Sequence, residues 1–171
     1  MINSLGPIFG SYSKCFDGCG DLMILLLMRH GEAEPNAQTD SDRPLTLYGR
    51  AQVSAVARRL SEMDLQVEES MVSPYLRARQ TAAIMSGTMA GSWPEQVSDA
   101  ITPDQSAERA ALAIAKCFDN AGTGLVVMHQ PIISRLVYYL TGQDQTMGTA
   151  NLAIIEAPQI ALGCCELECV I

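Results

Sequence analysis

The segment Met28-Arg29-His30-Gly31-Glu32 contains the residue types best suited to chemistry in this chain. An arginine guanidinium offers a planar pair of donors to phosphate oxygens, and an imidazole can act as a nucleophile near neutral pH. A glycine beside them allows backbone N–H groups to approach a ligand closely. The segment therefore suggests a site where an imidazole nitrogen attacks a phosphoryl group. An Arg-His pair can equally be the polar end of a strand, so the rest of the chain has to decide.

Both histidines of the chain directly follow predicted buried strands. His30 follows the apolar run Leu22–Met28, and His129 follows the run Leu125–Met128. Ser73 likewise follows a short predicted strand over 67–72. Because the carboxyl ends of parallel strands meet at one edge of an α/β sheet, we expect these three residues to line a single crevice.

The remaining pattern predicts strands that alternate with helices. Thr46 is a candidate N-cap, and Ser73-Pro74 reads as an N-cap followed by proline at the first helical position. Helices are predicted from these two points and over 106–118 and 131–140, and further strands over 96–98, 152–156 and 161–170. This alternation predicts a three-layer α/β/α fold with a mostly parallel central sheet.

Composition describes a globular chain with an acidic balance. Of its 171 residues, 48% are hydrophobic and 18% are charged, with a net charge of −8 and a pI near 4.6. Such a charge argues against nucleic acid or an anionic membrane as a partner. No apolar run is long enough for a membrane span, and no signal-peptide cleavage pattern follows Leu22–Met28, so we expect a cytoplasmic protein.

The first 22 residues differ in character from the rest. They are rich in Gly, Ser and Asn and show neither helical nor strand periodicity. We expect residues 1–22 to be an N-terminal extension, with either Met1 or Met23 as the true start. Residues 23–171 are expected to form one domain.

The six cysteines leave two interpretations open. Cys15/Cys19 and Cys165/Cys169 share a C-x3-C spacing that could indicate a four-thiolate zinc site. Free thiols in a reducing cytosol are the interpretation that we favour.

Four ordered motifs resemble those of a known family. They are Met28-Arg29-His30-Gly31-Glu32-Ala33, Arg43-Pro44-Leu45-Thr46, Ser73-Pro74-Tyr75-Leu76-Arg77-Ala78-Arg79-Gln80-Thr81-Ala82, and Val126-Val127-Met128-His129-Gln130-Pro131. Together they are similar, over residues 23–157, to the histidine phosphatase (phosphoglycerate mutase-like) superfamily. Within it, the short length and the position of the second motif resemble the SixA-type phosphohistidine phosphatases.

The resemblance implies a role for each matching residue. His30 would be the nucleophile, while Arg29, Arg77 and His129, the last as a cation, would hold the phosphoryl oxygens. Arg43 would be a further phosphate ligand. The chemistry agrees, because phosphoryl transfer depends chiefly on positioning and charge stabilisation. Gly31 is expected at the phosphate as well, and Arg79 is expected to be structural or peripheral.

A proton donor is less obvious in this chain. Larger members of the superfamily carry an inserted segment with a carboxyl acid, for which there is little room here between Arg77 and Val97. An alkoxide leaving group needs such a donor, whereas a phosphohistidine leaves as an imidazole. If a donor exists, Glu32 is the favoured candidate, followed by Glu34 and Asp42.

The sequence therefore predicts a metal-independent and cofactor-independent phosphatase acting through a phosphohistidine intermediate, with phosphohistidine in a protein as the favoured substrate. The alternatives are a small broad-specificity phosphomonoesterase, a non-catalytic regulatory module, and a thiolate zinc or redox protein. We expect a phosphorylated protein or small phosphate as partner, and a monomer.

Overall fold

The computed structural model describes residues 22–119 and 121–171 and contains one six-stranded sheet. The strands lie in the order β3-β2-β4-β1-β5-β6. The first four of these run parallel, and β5 and β6 are antiparallel to their neighbours. The mostly parallel sheet predicted from the sequence is therefore confirmed. The strand bounds are β1 Met23–Arg29, β2 Glu69–Val72, β3 Glu95–Val97, β4 Thr123–Met128, β5 Leu152–Ala157 and β6 Glu166–Val170.

Helices cover both faces of the sheet. One hydrophobic core contains buried residues of α1 and α2, and the other contains those of α3 and α4. Strand β1 serves both cores, since Leu25 faces one and Leu26 the other, which explains why its sequence is apolar without alternation. The helix bounds are α1 Leu47–Glu62, α2 Leu76–Thr88, α3 Ala107–Cys117 and α4 Ile132–Thr141.

Local signals account for three of the helix ends. The Thr46 hydroxyl accepts from the Gly49 N–H at 2.8 Å and caps α1, as predicted. Ser106 caps α3 in the same way through the Arg109 N–H. Helix α4 ends at Gly142, whose φ of +71° is a left-handed conformation that glycine adopts without a Cβ penalty.

The predicted start of α2 is wrong. The helix begins at Leu76, and neither Ser73 nor Pro74 occupies the N-cap or first helical position. The Ser73 hydroxyl instead contacts His129, so this side chain is used for a tertiary contact. Arg77 still lies in the first turn of α2, as expected.

Two predicted strands are also too long. Strand β2 begins at Glu69 rather than at residue 67. Strand β6 begins at Glu166 rather than at residue 161, because a turn precedes it: the Cys164 N–H donates to the Ala161 carbonyl, and Gly163 has a φ of +66°.

Strand order brings the chemical residues together. Strand β4 lies between β1 and β2, so the carboxyl ends of these three strands are neighbours. The His30 N–H donates to the Met128 carbonyl at 3.1 Å, and the Ser73 N–H donates to the Val127 carbonyl at 3.1 Å. His30, Ser73 and His129 therefore meet at one edge of the sheet, as the strand pattern predicted.

The described part of the chain allows the cysteines to be checked for metal binding and the helices to be checked for membrane spans. Cys117, Cys164, Cys165 and Cys169 are free thiols there, and no group of three metal-ligating side chains occurs among these residues. Cys15, Cys19 and the rest of the expected extension up to Asp21 lie outside it. None of the helices so described is long and apolar enough to cross a bilayer.

Candidate active site

The contacts of His30 fix the proton on its imidazole. Its Nδ1 lies 2.7 Å from the Gly31 carbonyl oxygen, which can only accept, so Nδ1 carries the hydrogen. The Nε2 atom then has a lone pair, and it accepts a hydrogen bond from Arg77 Nε at 3.1 Å. His30 thus presents an unprotonated nitrogen toward a guanidinium, as a nucleophile for an anionic group must.

Burial and positive neighbours keep His30 neutral. Its side chain is buried, which lowers its pKa to about 4, and the Arg77, Arg29 and Arg43 guanidinium groups act in the same direction against a hydrogen bond to Gly31. The lone pair of Nε2 is therefore present throughout the neutral pH range.

Gly31 is a glycine because helix α1 packs against it. A Cβ at this position would lie 2.6 Å from the Gly49 carbonyl oxygen and 2.9 Å from a Val53 methyl carbon. Its N–H donates to the Thr81 hydroxyl at 3.2 Å. A phosphate contact from this N–H, as expected from the sequence, would require breaking that bond, so the structure gives Gly31 a packing role.

Arg77 is the most enclosed guanidinium of the site, with only 5% of its surface exposed. Besides its bond to His30, its Nη2 donates to Asp40 Oδ2 at 2.9 Å and its Nη1 donates to the Asp40 carbonyl. The Tyr75 ring lies 4.9 Å from its guanidinium carbon and supports it through a cation–π contact. All three guanidinium nitrogens of Arg77 are therefore hydrogen-bonded, one to His30 and two to Asp40.

Arg43 approaches the site through the same loop. Its Nη1 donates to Asp40 Oδ1 at 2.9 Å, and its Nε donates to the Glu34 carbonyl. Asp40 thus bridges Arg43 and Arg77 with its two carboxylate oxygens. The hydrogen bond from Arg43, followed by that from Arg77, holds the pKa of Asp40 below its usual range, so this carboxyl is ionised.

Arg29 is anchored at one end only. Its Nη1 donates to the Met147 carbonyl at 2.9 Å, whereas its Nε is buried without a hydrogen-bond partner. Its pKa is lowered, first by burial and then by the charge of Arg77. An unpaired buried donor beside a second guanidinium is costly unless an anion joins them.

His129 has a similar unused atom. Its Nε2 lies 2.7 Å from the Ser73 hydroxyl oxygen, and its Nδ1 is buried without a partner. The ring packs between those of His30 and Tyr75, at centroid distances of 5.0 and 4.8 Å. Burial is the main cause that lowers the pKa of His129 to about 2; the Arg77 guanidinium, and His30 when it is itself protonated, act in the same direction. The lowered pKa disfavours the cationic form that was expected of His129, because burial favours the neutral imidazole.

These features together describe a site suited to an anion. Arg29 Nε and His129 Nδ1 both lack partners, and they border a neutral imidazole whose Nε2 contacts Arg77. A tetrahedral group with several acceptor oxygens satisfies such donors. Positive side chains supply the charge that a metal provides elsewhere.

The candidate proton donors lie elsewhere in the loop. Glu32 Oε1 accepts from the Thr46 hydroxyl at 3.0 Å, which directs this carboxylate to the start of α1. Glu34 contributes its carbonyl to Arg43, and Asp42 accepts from Thr39. The structure therefore brings none of these three carboxylates to the imidazoles through its hydrogen bonds.

Sequence reasoning missed Asp40, although it is the carboxylate that contacts two of the predicted arginines. Its position three residues before Arg43 was a usable signal, because i,i+3 spacing in a tight turn allows an ion pair. Arg79, in contrast, pairs with Glu95 at 3.1 Å and is half-exposed, in line with its expected structural role.

The fold and the site define a class: an α/β protein with a cationic, imidazole-bearing anion site at the carboxyl ends of parallel strands. Residues 25–96 match the model of the histidine phosphatase superfamily (branch 1). The chain is 32% identical over 132 residues to the phosphohistidine phosphatase SixA of Escherichia coli K12, covering 75% of this chain and 81% of that protein. This chain belongs to the histidine phosphatase superfamily, as its motifs indicated.

Solved structures agree with this assignment. The protein histidine phosphatase SixA complexed with tungstate superposes with a TM-score of 0.79 at 25% identity, covering 87% of this chain and 96% of that one. A mycobacterial glucosyl-3-phosphoglycerate phosphatase has the same fold, with a TM-score of 0.64 at 16% identity and coverage of 86% and 97%.

Proposed function

We propose that this protein is a protein phosphohistidine phosphatase that works through a phosphohistidine intermediate on His30. The observation that carries the proposal is the environment of His30. Its Nδ1–H is bound to the Gly31 carbonyl, and its Nε2 lone pair lies beside the Arg77 guanidinium. A neutral, oriented imidazole next to guanidinium groups is arranged for attack on a phosphoryl group.

The reaction would proceed in two displacements. In the first, His30 Nε2 forms a bond to phosphorus while the N–P bond of the substrate breaks, and the departing imidazole leaves with a proton. In the second, water attacks the phosphorus of phospho-His30, the N–P bond breaks, and Nε2 recovers its lone pair while both protons of the water leave with the orthophosphate. Arg29, Arg77 and His129 would bind the equatorial oxygens in both steps, with Arg43 as a further ligand.

The absence of a placed acid favours a nitrogen leaving group. The part of the chain described between α2 and α3 holds only β3, turns and a short 3-10 segment, with no inserted helix to carry a carboxyl donor. Asp40 is the carboxylate nearest to Arg77, but its arginine neighbours keep it ionised, which makes it a poor acid. An imidazole leaves readily once its phosphoramidate is protonated, whereas an alkoxide needs a donor at the moment of departure.

A small broad-specificity phosphomonoesterase is the second candidate. The fold similarity to a glucosyl-3-phosphoglycerate phosphatase favours this second candidate, because the name of that enzyme gives a sugar phosphate as its substrate. An open groove of about 610 Å³ is lined by sequence neighbours of Asp40 and Arg77, namely Ser41, Asp42, Pro74, Tyr75, Leu76 and Arg79. In a non-catalytic module that binds no anion, the buried Arg29 Nε and His129 Nδ1 atoms would have no hydrogen-bond partner.

The remaining assignments belong to the same proposal. We take residues 23–171 as the catalytic domain, a monomer in the cytoplasm as the working form, and no metal or other cofactor as a requirement. A phosphorylated protein is the proposed partner.

The test compares turnover of a phosphohistidine protein with turnover of a panel of small phosphate esters, each with and without EDTA. We expect clear preference for the phosphohistidine protein and no effect of the chelator. Preference for an ester would select the second candidate. Loss of activity in EDTA that zinc or magnesium restores would overturn the metal-independent mechanism.

Trapping the intermediate tests the nucleophile. Brief reaction with labelled substrate should place an acid-labile label on the wild-type protein and none on His30→Ala. Cys117→Ser, which changes a thiol at the end of α3 near the start of β2 and not at the carboxyl ends of the strands, is the matched control and should retain the label. Normal turnover by a folded His30→Ala protein would exclude the covalent mechanism.

A further inference from the structure

Ser73 has a contact that the sequence did not suggest. It was expected to cap α2, but its hydroxyl oxygen lies 2.7 Å from His129 Nε2, and the residue is fully buried at the end of β2. The Tyr75 N–H donates weakly to the same oxygen at 3.5 Å. Ser73 therefore holds one nitrogen of the second histidine while the other nitrogen, Nδ1, has no protein partner.

The direction of this hydrogen bond follows from what each atom can do. The Ser73 oxygen accepts a hydrogen bond from the Tyr75 N–H. Among the described residues, its own hydroxyl hydrogen contacts one acceptor, His129 Nε2. If Nε2 carried the proton instead, the hydroxyl hydrogen would be left without an acceptor in a fully buried position, which is costly. The hydroxyl must therefore donate, and Nε2 must accept.

This direction determines the tautomer of His129. A neutral imidazole carries one hydrogen, so a lone pair on Nε2 places that hydrogen on Nδ1. The unpartnered Nδ1 is then an N–H donor in a ring packed against His30. In the opposite tautomer, Nδ1 would present a lone pair to phosphoryl oxygens and repel them.

We infer that Ser73 is a positioning residue that fixes the Nδ1–H tautomer of His129, so that a neutral imidazole can donate a hydrogen bond to the phosphoryl group. This inference rests on the proposed function for its catalytic meaning. It reconciles a donor role for His129 with the burial that excludes its charged form. The two histidines thus share one tautomer, set by a carbonyl on Nδ1 in His30 and by a hydroxyl on Nε2 in His129.

The chain offers a direct measurement, because it contains only two histidines. Full-length protein labelled with ¹⁵N-histidine gives two ring spin systems, which a His30→Ala sample assigns. We expect His129 of the wild-type protein to show a protonated Nδ1 and an unprotonated Nε2 at neutral pH. In Ser73→Ala, the proton should move in part or wholly to Nε2. A wild-type His129 protonated at Nε2 would overturn the inference outright.

Activity and orthophosphate binding supply the second readout. Ser73→Ala should lower kcat/KM roughly ten- to a hundredfold, by analogy with the loss of groups that orient metal-binding histidines. It should also weaken inorganic phosphate binding, followed by the Nδ1 resonance of His129. Ser70→Ala is the matched control, because Ser70 is a buried hydroxyl on the same strand that contacts the Pro94 carbonyl.

The outcomes separate the inference from the proposed function. A Ser73→Ala protein that keeps the wild-type tautomer and phosphate affinity would overturn the role of Ser73, whatever the enzyme hydrolyses. A wild-type protein without phosphatase activity would overturn the proposed function, whereas the tautomer and its dependence on Ser73 would still be measurable. Equal effects of Ser73→Ala and Ser70→Ala would indicate general loosening of β2 and would also overturn the inference.

Discussion

Asp40 forms a two-point contact with Arg77: its Oδ2 accepts from Nη2 at 2.9 Å and its backbone carbonyl accepts from Nη1. The arginine is almost fully buried, whereas the side chain of Asp40 is 56% exposed. A carboxylate thus occupies the guanidinium donors that the proposed phosphoryl group needs. A bound phosphoryl group has to compete with this internal anion or share Arg77 with it.

Asp40→Asn should therefore strengthen inhibition by orthophosphate. The amide keeps the size of the side chain but removes a negative charge that competes for Arg77 and repels the incoming anion. We expect the inhibition constant to fall about three- to tenfold at low ionic strength, a modest factor because the pair is partly exposed to screening solvent. The effect should shrink as salt is added.

Asp42→Asn is the matched control for this experiment. Asp42 lies in the same 3-10 turn, but its carboxylate accepts from Thr39 and takes no part in the bridge between the arginines. Its replacement should leave phosphate inhibition within about twofold, as is usual for exposed residues. Weaker phosphate binding by Asp40→Asn would show that the carboxylate chiefly holds Arg77 in place.

Arg77→Lys should be far from a conservative change. Lysine keeps the positive charge but loses the planar fork that contacts His30 Nε2 and Asp40 together. We expect kcat/KM to fall roughly ten- to a thousandfold, the range for losing one preorganised donor. Arg79→Lys, two residues along the same helix and paired with Glu95, should remain near the wild-type rate. Activity of Arg77→Lys within twofold of wild type would exclude a role at the phosphate.

The lowered pKa of His30 predicts an unusual pH profile. The free enzyme needs unprotonated Nε2, and burial with nearby arginines places the pKa of His30 at about 4. Activity as kcat/KM should therefore not decline as the pH falls from 8 to 5, whereas an ordinary histidine would cause a decline near about 6.5. Enzyme-free blanks correct for acid hydrolysis of the substrate. A decline centred near 6.5 would contradict the neutral, buried state of His30.

The same shifts predict how stability changes with pH. In the unfolded chain both histidines bind protons near their ordinary pKa, whereas the folded values are lowered to about 4 for His30 and about 2 for His129. Below about pH 6.5 the unfolded state binds more protons, so the free energy of unfolding should fall by up to about 1.4 kcal/mol per pH unit for each histidine. Urea denaturation at pH 7 and pH 5 measures this slope. His129→Gln should reduce the slope, and an unchanged slope would contradict the shift at that residue.

A protein that begins at Met23 should retain its fold and activity. Met23 opens β1, whose partners β4 and β5 all lie later in the chain, and the sequence before it lacks a periodic apolar pattern. The melting temperature and phosphatase rate of this shortened protein should match those of the full chain. A large drop in either would show that residues 1–22 support the domain, and a structural role for Cys15 and Cys19 would then need to be considered.

The sequence predicted those features that depend on local pattern and on strand order. The apolar run before His30 fixed β1 as a doubly covered strand, and Thr46 marked the start of α1, because such signals lie within a few residues of the feature that they determine. The meeting of His30 with His129 followed from the rule that parallel strands end at one edge. The family motifs then added Arg77 at the start of α2.

The features that sequence reasoning missed all depend on tertiary contacts. Serine followed by proline is a good start for a helix, yet the buried imidazole of His129 competes for the Ser73 hydroxyl and moves the start of α2 to Leu76. The neutral state of His129 depends on burial among positive neighbours. For Asp40, the spacing to Arg43 was a local signal, but the contact with Arg77 depends on how the loop packs against α2 and has no signal in the sequence.

The position of β4 has a consequence for synthesis on the ribosome. Strand β4 separates β1 from β2, although it is made after both of them, and the Arg29, His30 and Arg77 side chains all precede it in the chain. A nascent chain that ends before Thr123 therefore carries the nucleophile and two arginines but lacks the strand that brings them to one edge. Translation must therefore pass β4 before the carboxyl ends of β1 and β2 can be joined, so the candidate site assembles only after His129 has been made.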